Sequence, residues 1–130
     1  MPDYAAATPD ELEPFYKGLF GKARAGLGVS SFGLSVVNLG PHAENYPDHD
    51  HPGGQEEVFI VLSGSGEMDI DGGAETIALV PETMVRVGPE TKRRIRPGAD
   101  GMRLVAIGGT PGMAYEAPAY TELGAPDPLS

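Results

Sequence analysis

Two histidines stand one residue apart in Tyr46-Pro-Asp-His-Asp-His-Pro-Gly-Gly-Gln-Glu-Glu-Val-Phe-Ile-Val-Leu-Ser-Gly64, directly ahead of a carboxylate that opens an apolar run. Side chains alternate along an extended segment, so His49 and His51 point the same way while Asp50 points away, and two imidazoles can converge on one ion. A carboxylate just beyond them, from the pair Glu56-Glu57, completes a possible trio of metal ligands. Two neutral imidazoles and a carboxylate oxygen form a borderline-hard donor set that suits Fe(II), Mn, Zn, Ni or Cu better than Ca or Mg. Taken alone, a His-x-His pair in an acidic, glycine-rich loop is more often surface decoration.

The elements around the pair turn that balance. Glu56 and Glu57 lead straight into Val58-Phe-Ile-Val-Leu62, long enough for one strand, after which Gly64-Ser65-Gly66 reads as a turn and Glu67 to Asp71 alternates as a second strand. Asp71-Gly72-Gly73 is a hairpin signal. The pattern predicts strands over 29–39, 56–63, 66–70, 75–79, 84–87, 92–96 and 102–108, with nineteen Gly and thirteen Pro punctuating them. Many short strands and tight turns indicate an all-β antiparallel sandwich or barrel. One helical candidate lies near the N-terminus. Thr8, Pro9 and Glu11 make a capping signature, and Leu12, Phe15, Tyr16 and Leu19 recur at helical spacing, with Pro14 limiting the helix to one or two turns.

These residues resemble the first motif of the cupin superfamily: His-x-His, a short gap, Glu, six residues, Gly. Here it reads His49-Asp50-His51, then Pro52 to Glu56, then Glu57, then Val58 to Ser63, then Gly64. The gap is one residue longer than usual. Counting back from Gly64 selects Glu57, which also shares strand parity with Phe59 and Val61; Glu56 is the alternative if the longer loop is absorbed differently. The second motif departs from the family pattern. Pro81-Glu82 stands for a Gly-Asp turn, Pro89-Glu90-Thr91 for a Pro-Gly turn, and Arg93 falls where the remaining metal-binding His is expected. Arg93 shares parity with Ile95 and should point inward, with Lys92, Arg94 and Arg96 facing water.

The resemblance implies a double-stranded β-helix, or jelly roll, with a short N-terminal helical segment. We expect a single domain over 1–130, with a core at about 29–108, an N-terminal helical arm over 8–24 and an extended C-terminal arm over 109–130 in which Tyr115 and Tyr120 are possible anchors. It also implies a divalent transition metal (Fe, Mn, Zn or Ni) on His49, His51 and Glu57. An inward guanidinium must be paired. Arg93 therefore has two alternative roles: gripping an anionic group of a ligand that also coordinates the ion, or forming a bidentate pair with Glu57 in a metal-free binding protein. Cupins include oxygenases, isomerases and epimerases as well as binding proteins, so the reaction stays open. Tyr46 and Phe59 join Arg93 as pocket candidates, whereas His42 reads as an exposed or backbone-bonded histidine.

Composition bounds the rest. Nine Lys plus Arg against nineteen Asp plus Glu leave a formal charge of −10, which disfavours nucleic acid and anionic membranes as partners and leaves a small molecule, a carboxylate among the candidates. With no cysteine, disulfide and thiolate chemistry are excluded. No apolar run is long enough to span a bilayer and no leader pattern is apparent, so a cytoplasmic location is the default expectation. Val58, Ile60 and Leu62 make the outer face of their strand apolar as well. A terminal arm or a second subunit should cover it, and a homodimer is expected.

Overall fold

The computed structural model describes residues 1–129; Ser130, the end of the expected C-terminal arm, lies outside the described residues. Seven strands form one antiparallel sheet: β1 (Pro14–Phe15), β2 (Phe20–Gly21), β3 (Gly33–Leu39), β4 (Glu56–Ile70), β5 (Glu75–Leu79), β6 (Met84–Val87) and β7 (Arg93–Gly109). Their order is β1-β2-β3-β7-β4-β5, with β6 paired to the first half of β4. The all-β expectation holds, and the architecture is a jelly roll built on two long central strands.

Those two strands correct the sequence reading. Gly64-Ser65-Gly66 does not reverse the chain, so 56–63 and 66–70 are halves of β4; 92–96 and 102–108 likewise merge into β7. The register instead slips at two irregularities, between Val61 and Ser63 and between Gly64 and Gly66. Gly64 has φ +75°, and a Cβ there would lie 2.0 Å from the Gly101 carbonyl oxygen. The glycine thus serves a bulge and a close approach of two backbones, the other use of glycine inside a strand. Beyond the bulges the same faces continue inward. Phe59 and Val61 from one half of β4 and Met68 from the other pack in one core with Leu79, Ile95 and Leu104, each buried.

The N-terminal arm is only partly helical. Thr8 and Glu11 make the expected capping box, but it opens a 3-10 turn at Pro9–Glu11, and the next helix, α1, spans Ala23–Leu27. Between them β1 and β2 form a hairpin through Tyr16, Lys17 and Gly18, all at positive φ. Pro14 denies a helix its donor there, so Phe15 and Leu19 reach the interior from a hairpin.

The C-terminal arm runs back over this hairpin. Asp127 accepts backbone N–H bonds from Tyr16 (3.1 Å) and Lys17 (2.9 Å), while the Glu13 carboxylate accepts one from Gly124 (2.9 Å). Lys22, buried at 3% exposure, pairs with Glu13 and donates to the Glu122 carbonyl (2.7 Å). On the opposite side, the outer face of β4 is less covered. Val58 and Ile60 are half-buried, whereas Leu62 and, on β6, Met84 are 45% and 71% exposed. No helix of the described residues is long and apolar enough to cross a membrane.

Candidate metal centre

The His-x-His segment lies alongside the start of β7. His49 and Arg93 form an isolated antiparallel bridge, with His49 N–H donating to the Arg93 carbonyl (3.1 Å) and Arg93 N–H to that of His49 (2.9 Å). His51 N–H donates to the Pro89 carbonyl (2.8 Å). Held extended in this way, the segment presents both imidazoles to one face, with ring centroids 5.0 Å apart and planes at 86°.

Glu57 meets them from β4. Its Oε1 lies 2.9 Å from His51 Nε2 and 4.0 Å from His49 Nε2. Glu56, the alternative carboxylate, faces outward and pairs with Arg86 (2.8 Å). Strand parity decides between them, because consecutive residues of β4 face opposite sides.

Ligand atoms of His49, His51 and Glu57 all lie within 4.8 Å of one another. Donors around one ion at bonds of roughly 2.0–2.2 Å lie at most about 4.4 Å apart, so a small inward movement would close the set. His49 Nδ1 lies 2.9 Å from the Pro47 carbonyl and donates to it, which leaves the Nε2 lone pair for an ion. His51 Nε2 donates to Glu57 in the absence of an ion and would exchange that proton for the metal. The donor set therefore fits a divalent transition metal.

Arg93 is the most buried polar side chain, at 0% exposure. Nη1 donates to Glu57 Oε1 (2.8 Å) and Nη2 to the Gly88 carbonyl (2.7 Å), while Nε has no partner. Its inward direction is as strand parity required, and Lys92 and Arg96 are exposed while Arg94 is half-buried. Two details differ from the sequence reading. The pair with Glu57 uses a single N–H···O bond rather than a bidentate one, because Nη2 is taken by Gly88. Arg93 also sits behind Glu57 and does not line the cavity.

A cavity of about 640 Å³ opens beside the trio, lined in part by Glu57, His51, Tyr46 and Gln55. Burial and the nearby Glu57 charge push the Tyr46 phenol above its ordinary range, so it stays protonated and can only donate or accept a hydrogen bond. Phe59, expected at the pocket, is buried in the core and does not reach the wall. His42 is exposed and its backbone N–H donates to Gly98, well apart from the trio. The sequence reading missed the cavity's other walls, supplied by Tyr16 and Phe20 from the hairpin and by Tyr115 and Tyr120 from the C-terminal arm. Their signal was the concentration of aromatic residues in the two terminal arms rather than in the strands from β3 onward.

Jelly roll, His-His-Glu trio and Gly64 bulge together define a cupin fold. Comparison with solved structures agrees. A cupin protein from Bacteroides fragilis superposes with a TM-score of 0.69 at 24% identity, over 91% of this chain and 93% of its own. A sugar phosphate isomerase of the cupin superfamily from Silicibacter pomeroyi gives 0.66 at 18% identity, over 80% and 74%. The cupin domain of a transcriptional regulator from Enterobacter cloacae gives 0.55 at 26% identity, over 65% and 86%. No protein-family model and no curated protein matches the chain.

Proposed function

We propose that this protein binds a divalent transition metal (Fe, Mn, Zn or Ni) through His49, His51 and Glu57, and binds or acts on a small anionic organic molecule in the adjoining cavity. The observation that carries the reading is the convergence of two imidazole nitrogens and one carboxylate oxygen, two of whose residues, His51 and Glu57, line the cavity, with the His49 tautomer held by Pro47. Such an ion supplies Lewis-acid polarisation of a coordinated oxygen or, if iron, redox chemistry. The chain's own residues set what it meets. Arg93 holds the Glu57 carboxylate in place from behind, and Tyr46 offers a neutral phenol to the ligand. A dication with Glu57 and Arg93 beside it carries a net positive charge, which favours an anionic head group.

A second reading rests on a specific feature of the same site. Arg93 and His51 both donate to Glu57 Oε1, so the carboxylate is already satisfied as a metal-free binding protein would need. Metal analysis of protein purified without a His tag or chelator separates the two. Under the metal reading, wild type retains stoichiometric metal, and His49→Ala and His51→Ala lose it while keeping their far-ultraviolet dichroism. Equal metal content in all three proteins would refute it.

A further inference from the structure

The cavity is much larger than the site it adjoins. At about 30 Å³ per water its volume corresponds to roughly twenty waters, so a two-carbon acid on the trio would leave most of it unfilled. Its remote part is built by the two terminal arms together. Tyr16 meets Phe20 edge-on at 5.6 Å and Tyr120 edge-on at 5.8 Å, so the hairpin and the C-terminal arm share one aromatic cluster. Tyr115 lies over β3 where position 33 carries no side chain; a Cβ at Gly33 would be 2.9 Å from the Tyr115 hydroxyl. Three cations line the cavity: Lys22 is paired with Glu13 and Arg24 with Glu122 (2.8 Å), while Lys17, on the hairpin turn, is exposed. Gly33, beneath Tyr115, is level with Glu57 through Gly108 of β7, two strand spacings or about 10 Å across the sheet, whereas Phe20 is level with Val61, four residues further along β4.

We infer that Tyr16, Phe20, Tyr115 and Tyr120 form a subsite for the aromatic body of a ligand whose carboxylate head meets the His-His-Glu trio. The ligand class is a small aryl-alkyl acid rather than a sugar acid. Aromatic faces and aliphatic neighbours such as Leu34 reward a planar apolar body, and the less exposed cations of the wall, Lys22 and Arg24, are already paired with carboxylates. The inference rests on the metal reading for the head group alone, since the aromatic wall stands without it.

Calorimetric titration of wild-type protein, with its metal content measured and again after adding Mn(II), with acetate, gluconate and 3-phenylpropionate tests this. The aryl acid should bind at least tenfold tighter than either of the others, with a negative heat-capacity change. Tyr120→Ala, on the partly exposed arm, and Tyr16→Ala, on the hairpin, should each reduce that preference at least fivefold. Metal-loaded protein that binds the three acids equally, or gluconate best, overturns the subsite and leaves the metal reading standing. Retention of the full preference in both variants also overturns it. Protein that takes up no metal but keeps the aryl preference overturns the metal reading and supports the subsite.

Discussion

Replacing Glu57 by Gln tests whether Arg93 depends on that carboxylate. The substitution keeps shape and one acceptor but removes the negative charge from a guanidinium with no exposure to solvent. Unit charges about 4 Å apart between group centres attract by about 4 kcal/mol at an effective dielectric of 20. The neutral amide still accepts the Nη1 bond and restores roughly 1 kcal/mol. Glu57→Gln should therefore destabilise by about 3 kcal/mol, in line with the loss of one partner from a buried pair. For a domain of this size that lowers Tm by roughly 12 °C. Arg93→Met should cost less, about 1–2 kcal/mol, because Glu57 keeps its bond to His51 and is partly open to water. The double variant leaves no charge unpaired and should be nearly as stable as wild type, giving a coupling energy of about 3 kcal/mol or more. Urea unfolding followed by circular dichroism measures all four proteins. Single variants within about 0.5 kcal/mol of wild type that add without coupling would refute the reasoning, because Arg93 would then be solvated and independent of Glu57.

Three further outcomes follow from the same site and its surroundings. Arg93→His should tighten Zn(II) or Mn(II) binding more than Arg93→Met does, since position 93 bridges His49 directly and would add a third imidazole; equal affinities in the two variants would place the side chain out of reach. We propose that a second copy of the chain covers the outer face of β4, so wild type should sediment as a dimer and Ile60→Glu as monomer or aggregate; a monomeric wild type at micromolar concentration would hand that face to solvent. Asp127 is held below the usual carboxylate range by N–H bonds from Leu129, Lys17 and Tyr16, and Glu13 by the bond from Lys22 and then that from Gly124. Depressed folded values mean a contribution present above the unfolded pKa and lost as pH falls through the folded one. Amide protection at Tyr16 and Lys17 should thus drop below about pH 4, and equal protection factors at pH 6 and pH 3 would count against the arm being held this way.

The parts of the fold legible in the sequence were those governed by local alternation. Parity along 56–62 separated Phe59 and Val61 from Val58, Ile60 and Leu62, and parity along 92–96 turned Arg93 inward. Both follow from a two-residue period that needs no tertiary information. Chain reversals were less legible. Gly64 and Gly66 carry the same residue signal whether they close a hairpin or bulge a continuous strand, and only the approach of Gly101 across the sheet distinguishes the two. The N-terminal spacing of Leu12, Phe15, Tyr16 and Leu19 failed for a related reason. Four apolar residues can meet a core from a hairpin as well as from a helix; Pro14 disfavours the helix, and the hairpin's turn is held by the Asp127 carboxylate on the backbone of Tyr16 and Lys17, more than a hundred residues away in the chain.

The same division runs through the site. The trio was legible because its ligands lie within nine residues of chain, His49 to Glu57. Its supports, the Pro47 and Gly88 carbonyls and the aromatic wall of the arms, come from contacts that leave no periodic trace. Arg93 shows how far residue type alone can carry a role. An inward arginine in place of a histidine was compatible with gripping a ligand or pairing with Glu57, and the outcome turned on where its two Nη groups go. Both are taken, by Glu57 and by Gly88, at zero exposure. What Arg93 can still contribute is orientation and charge. It sits on the same Glu57 oxygen that faces His51, so the carboxylate lies between guanidinium and imidazole and screens an ion held there from the positive charge behind it. Removing the carboxylate would expose an ion and Arg93 to each other directly, so Glu57→Gln should weaken metal binding beyond the loss of one ligand, whereas the added substitution Arg93→Met should recover part of it.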